Sequence, residues 1–123
     1  MRHEEANFQI NVVRALKFAG HFVFAVPNGG SRNLIEAKNL KMQGVMAGVS
    51  DLILLLPERK VYFIELKNPN GKGRQSPHQR DFEQEVRAMG HEYLIWDKWA
   101  QVEKFIDDHR KEVQNFLAVG GTL

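Results

Sequence analysis

The chain contains no cysteine in its 123 residues. That removes disulfides, a thiolate zinc site and a cysteine nucleophile together, and nothing requires an oxidising compartment. Long apolar runs are also missing. The longest, Phe22–Val26 and Leu52–Leu56, have five residues each, whereas a membrane span needs about 20. The opening Met-Arg-His-Glu-Glu has no apolar segment of the kind a secretory signal carries. Five histidines stand at 3, 21, 78, 91 and 109 without metal-ligand spacing, so zinc is not expected. Gly71-Lys72-Gly73 falls short of a GxxxxGK[ST] phosphate loop, and no G-x-S-x-G elbow occurs. These absences leave an ordinary cytoplasmic domain without a small-molecule cofactor. The expectation is one domain over residues 1–123, with a core of about 4–110 and a flexible tail from about 117.

Charge is nearly balanced, 17 Lys+Arg against 15 Asp+Glu for a net +2. The distribution is more informative. Lys67, Lys72, Arg74 and Arg80 fall in a stretch without a carboxylate, and Asp81, Glu83, Glu85 and Glu92 follow against Arg87. A basic segment is therefore hidden in a modest total, and basic segments favour polyanionic partners.

Punctuation divides the chain into elements. Phe8, Val12, Ala15, Leu16 and Ala19 recur at helical spacing before Gly20, which predicts a helix over about 4–19. Phe22–Val26 reads as a buried strand entering the Pro27-Asn28-Gly29-Gly30 turn. Asn33–Gln43 reads as a short helix. Asp51–Leu56 and Lys60–Lys67 form a hairpin about Pro57-Glu58-Arg59. Ser76-Pro77-His78-Gln79 carries a capping box with proline at the first helical position, opening a helix that Gly90 ends. Glu92–Trp96 is a last strand, Asp97 a cap for the last helix, and fraying is expected after Phe116. The order α-β-(α)-β-β-α-β-α predicts an α/β fold with a small mixed sheet between helices. The crossover after Lys67 makes the last strand parallel to its predecessor.

Folding the hairpin brings chemistry together. A turn centred on Glu58 pairs residues whose numbers sum to 116, which sets Asp51 across from Glu65. Alternation puts Glu65 and Lys67 on one face, with Tyr62, Ile64 and Leu66 on the other. Two carboxylates among apolar neighbours repel each other and lose hydration, so a cation is needed between them. Oxygen ligands at strand ends suit Mg²⁺, which acidifies water and neutralises phosphate charge. A lone E-x-K more often marks a solvated strand edge. The upstream Asp, the register and the basic loop that follows favour a site.

Asp51 and Ile64-Glu65-Leu66-Lys67 after a hairpin resemble the PD-(D/E)XK nuclease core. With Pro27-Asn28-Gly29-Gly30, Gly44-Val45-Met46-Ala47-Gly48-Val49-Ser50-Asp51-Leu52 and Ser76-Pro77-His78-Gln79, the string resembles the VRR-NUC branch over about residues 4–97. The resemblance implies a restriction-endonuclease-like fold and Mg²⁺- or Mn²⁺-dependent hydrolysis of DNA. It makes Asp51, Glu65 and the Leu66 carbonyl the metal ligands and Lys67 the catalytic lysine. Gln79 would face the site, although the capping box already explains a glutamine there. Glu5 is the best match to a first-helix glutamate, one turn before Gln9, with Glu4 the alternative. Ser50 stands where the motif has proline, which costs only turn rigidity. Asn28, Arg32, Lys72 and Arg74 are candidate phosphate contacts, against a reading as turn and solvated loop. Stand-alone phage and bacterial members of this type resemble Holliday-junction resolvases, which implies a homodimer with two active sites on branched DNA. A nonspecific or flap-type nuclease, a non-catalytic nucleic-acid-binding module and a structural metal domain are the rival readings.

Overall fold

A computed structural model describes residues 3–27 and 33–120. Its elements are α1 (His3–Phe18), β1 (Phe22–Ala25), α2 (Leu34–Met42), β2 (Leu52–Leu56), β3 (Lys60–Leu66), α3 (Pro77–Ala88), β4 (Glu92–Trp96) and α4 (Trp99–Ala118). The four strands lie in sequence order in one sheet. β1–β2 and β2–β3 are antiparallel and β3–β4 is parallel, the last pair being joined by a crossover through α3. No described helix is long and apolar enough to cross a membrane.

Alternation sends Val23, Leu52, Leu54, Leu56, Tyr62, Ile64, Leu66 and Trp96 to one face, where they form the core with Phe8, Val12 and Leu16 of α1 and Val102, Phe105 and Val113 of α4. On the opposite face, Phe82 of α3 packs edge-on against Phe63 and Tyr93. α3 covers only the β3–β4 half. Phe22 and Phe24 remain 48% and 44% exposed on the other half, with their rings in edge contact.

Three strand ends fall one residue inside the expected bounds, at Ala25, Leu52 and Leu66. The ladder still reaches Asp51, whose carbonyl accepts from the Val26 N–H at 2.9 Å, and Lys67, whose N–H donates to the Trp96 carbonyl at 2.8 Å. Asp51 and Lys67 thus emerge where pairing ends. Ser76 and Gln79 form the expected capping box. Asp97 does not cap α4. The cap position is Lys98, and the Gln101 side-chain oxygen accepts from the Asp97 and Lys98 N–H groups at 2.8 and 2.9 Å. The last helix runs past Phe116 to Ala118, and Val113 puts the core beyond residue 110, because α4 crosses back over Gly20. α2 forms as expected, capped by Asn33, but buries none of its residues.

Candidate active site

β2 and β3 bring the two carboxylates together by register alone. The pairing Leu52↔Ile64 through Leu56↔Lys60 keeps the sum of 116 and places Asp51 at the next step, beside Glu65. Asp51 is tied to the end of β3 there, since the Leu66 N–H donates to Asp51 Oδ2 at 2.7 Å. Glu65 is completely buried and Asp51 partly so. Burial pushes the Asp51 carboxyl above its ordinary range; the Leu66 N–H opposes this, the charge of Glu65 reinforces it, Lys67 opposes it, and Glu5 adds to it. Glu4 instead borders a surface groove with Phe8, Asn11, Pro69 and Asn70.

Lys67 is held at its ammonium. Nζ donates to the Arg74 carbonyl at 3.0 Å and to Gln79 Oε1 at 2.8 Å, and stands 3.0 Å from Glu65 Oε2. Gln79 thus touches Lys67 and caps its own helix at once: its Oε1 also accepts from the Ser76 N–H at 2.8 Å. The loop between β3 and α3 is shaped by asparagines. Asn68 Oδ1 accepts from the Asn70 N–H, and Asn70 Oδ1 from the Lys72 N–H. Gly73 lies against the Lys67 stem, where an added Cβ would stand 3.2 Å from Lys67 Cβ and Cδ. Gly48, at φ +87°, brings its backbone onto the start of α3; a Cβ there would come within 2.3 Å of the His78 carbonyl oxygen. Only glycine fits both that angle and that approach. An open cleft of about 740 Å³, bordered by Gln9, Pro27, Gly48, Asp51, Ser76, His78 and Gln79, leads to this cluster.

Lys72 and Arg74 are exposed on the loop, and the Arg74 guanidinium meets the Gly73 carbonyl at 3.2 Å. Asn28 and Arg32 lie outside the described residues.

The VRR-NUC domain family model matches residues 5–96, the stretch from α1 to the end of β4 that builds this cleft. The chain belongs to the VRR-NUC family. As a VRR-NUC domain it is a nuclease-type domain. Two solved structures share its fold. One, a VRR_NUC domain, is 21% identical with a TM-score of 0.62, covering 86% of this chain and 97% of its own. The other, a VRR_NUC domain protein, is 19% identical with a TM-score of 0.65, covering 93% and 91%. No curated protein matches the chain.

The VRR-NUC cleft suits a hard divalent cation. Glu65 Oε2 is buried without a hydrogen bond, because the nearby ammonium makes an ion pair outside hydrogen-bond geometry. Among the described residues no three His, Cys, Asp or Glu side chains gather as a metal cage. An ion here would rest on Asp51, Glu65, the Leu66 carbonyl and solvent, the sparse all-oxygen set that Mg²⁺ accepts.

Two partners of Glu65 escape a motif search. Tyr93 Oη donates to Glu65 Oε1 at 2.6 Å, and Gln75 Nε2 donates to the same oxygen at 3.0 Å. The signal for Tyr93 lies in the parallel register, since Phe63↔Tyr93 puts it on the Glu65 face two residues away. Gln75 carries no comparable signal, because it sits in a loop.

Proposed function

We propose that the chain is a Mg²⁺- or Mn²⁺-dependent endonuclease hydrolysing DNA phosphodiester bonds, acting as a homodimer on branched DNA such as a four-way junction. The observation that carries this reading is the convergence of Asp51, Glu65 and Lys67 at paired strand ends, with Glu65 Oε2 buried and lacking a hydrogen bond. Asp51, Glu65 and the Leu66 carbonyl would hold the cation, which when bound neutralises phosphate charge and makes nearby water more acidic. Lys67, pinned by the Arg74 carbonyl and Gln79, orients the attacking water and stabilises charge gathering on the phosphate. Glu5 adds negative charge toward Asp51 from α1. Lys72 and Arg74 meet backbone phosphates beside the cleft, so affinity falls as salt rises.

The dimer reading draws on surface the chain does not cover. Phe22, Phe24 and Leu55 lie exposed on the open half of the sheet, and α2 exposes Leu34, Ile35 and Met42. A helix of nine residues that buries nothing is marginal in water, and contiguous apolar patches mark interaction surfaces. A two-fold partner is the occupant that also supplies a second active site for symmetric cutting.

Purified protein incubated with four-way junction, flap, nicked, single-stranded and linear duplex DNA tests the reading. Cleavage of the junction with Mg²⁺ or Mn²⁺ and none with EDTA is expected. Cleavage of all substrates alike would replace junction selectivity with a nonspecific nuclease. Binding without cleavage under every metal would favour the non-catalytic module.

A further inference from the structure

The two oxygens of Glu65 are held very differently. Oε1 receives two hydrogen bonds, from Tyr93 Oη and Gln75 Nε2, whereas Oε2 has only the ion pair with Lys67. The donors to Oε1 belong to a closed circuit. Gln75 Nε2 also donates to Glu83 Oε1 at 2.9 Å. Glu83 Oε2 accepts from Arg87 Nε at 2.8 Å, and Arg87 Nη2 donates to the Tyr93 carbonyl at 3.0 Å, returning to the residue whose hydroxyl grips Glu65. The guanidinium also lies 6.0 Å from the centre of the Tyr93 ring.

Each member has little freedom. The Gln75 amide spends both its hydrogens on carboxylates, so only one of its two flip states satisfies the circuit. Glu83 feels burial, which raises its carboxyl, but the bonds from Gln75 and Arg87 outweigh it and hold the group below its usual range. Tyr93 Oη, 2.6 Å from Glu65 Oε1, is the donor of that pair, because an ionised carboxylate only accepts. Tyr93 is itself buried in the sheet beneath Phe82. The circuit also ties α3, which carries Gln79 to Lys67, to the strand that presents Glu65.

We propose that Tyr93 and Gln75 are positioning residues that clamp Glu65 by Oε1 and so present Oε2 to the divalent cation, an inference that rests on the metal-dependent nuclease reading. A free carboxylate turns about its last bond and exchanges its oxygens; a carboxylate with one oxygen doubly bonded to fixed donors does not. Orientation of a ligand by such outer contacts is commonly worth roughly 10–100-fold in metal affinity.

The test is Mn²⁺ titration of the DNA-free full chain by isothermal calorimetry, with the free-Mn²⁺ electron paramagnetic resonance signal as a second readout. Wild type, Tyr93→Phe, Gln75→Leu and Glu65→Gln are compared, and melting temperatures establish folding. Wild type is expected to bind Mn²⁺ and Glu65→Gln to lose that binding. Tyr93→Phe and Gln75→Leu are expected to bind roughly 10–100-fold more weakly. Their DNA cleavage should need correspondingly more Mn²⁺ while reaching a similar rate at saturation. A purely structural role would lower the melting temperature and leave the Mn²⁺ midpoint in place. If wild type binds and both variants bind equally well, the positioning role is overturned and the nuclease reading survives. If wild type binds no Mn²⁺, the nuclease reading itself falls. Should Tyr93→Phe fail to fold, Gln75→Leu in the loop reads the same clamp.

Discussion

Removing the Lys67 ammonium exposes the cost of burying Glu65. Glu65 is completely buried, the Lys67 side chain is only 14% exposed, and 3.0 Å separates their charges. Lys67→Met keeps the length of the stem under Gly73 and deletes the charge. Breaking a buried ion pair from one side costs about 3–5 kcal/mol, because the remaining charge is left uncompensated. The expected loss is therefore at least about 3 kcal/mol, out of the 5–15 kcal/mol typical of a domain. For a domain of this size that is a fall of roughly 12 °C in melting temperature. Lys67→Met combined with Glu65→Gln should regain most of it at pH 7. The assay is thermal and urea unfolding of the four proteins of that cycle without metal. Equal stability of Lys67→Met and wild type at pH 7 would refute the ion-pair reasoning. The consequence for function is practical: loss of cleavage in a Lys67 variant is interpretable only at a temperature where that variant is folded.

Three further outcomes follow from other parts of the molecule. His21 is buried between the Phe105 ring and the core with neither ring nitrogen hydrogen-bonded. Burial lowers its pKa from 6.5 to about 4, reinforced by His109 and opposed by Glu112. The folded state thus favours the neutral ring. Above pH 6.5 the group contributes no pH dependence; between 6.5 and about 4 the unfolded chain gains a proton the fold refuses, and up to ~3 kcal/mol is lost. Urea unfolding across that window should show this slope in wild type and a shallower one in His21→Leu; parallel slopes would contradict it. Gly48→Ala must move the start of α3, because its Cβ would meet the His78 carbonyl at 2.3 Å; cleavage should fall more than the ~2 kcal/mol of stability that a strained positive φ costs. Phe24→Glu should leave the melting temperature nearly unchanged but turn a dimer into a monomer in sedimentation velocity, and a dimer that survives would move the interface off the sheet face.

The carboxylate pair was legible because strand periodicity and turn position together fix register. Every observed β2–β3 pair keeps the sum that set Asp51 beside Glu65. The Ser76–Gln79 cap was legible for a similarly local reason. Contacts between segments without a shared period were hidden. Nothing in Gln75 announces a grip on Glu65 and Glu83, and nothing in Arg74 shows that its carbonyl, rather than its guanidinium, holds Lys67. The Gly48 contact with α3 is likewise tertiary. Asp97 misled because aspartate is a favoured cap, yet the cap position falls on Lys98 and it is Gln101 that reaches back, to the Asp97 and Lys98 N–H groups. The α2 helix was legible, but not that Leu34, Ile35 and Met42 would stay exposed on it.

The central claim is that Glu65, beside Asp51, carries a metal-dependent phosphodiester hydrolysis. Glu65→Gln is the most direct probe, since the amide keeps the volume and retains an oxygen to accept from Tyr93. Purified wild type and Glu65→Gln, matched for folding, are incubated with the same four-way junction over a Mn²⁺ series. The account expects cleavage that rises with Mn²⁺ in wild type and is lost by at least ~10²-fold in the variant. Cleavage at the wild-type rate by folded Glu65→Gln would contradict it.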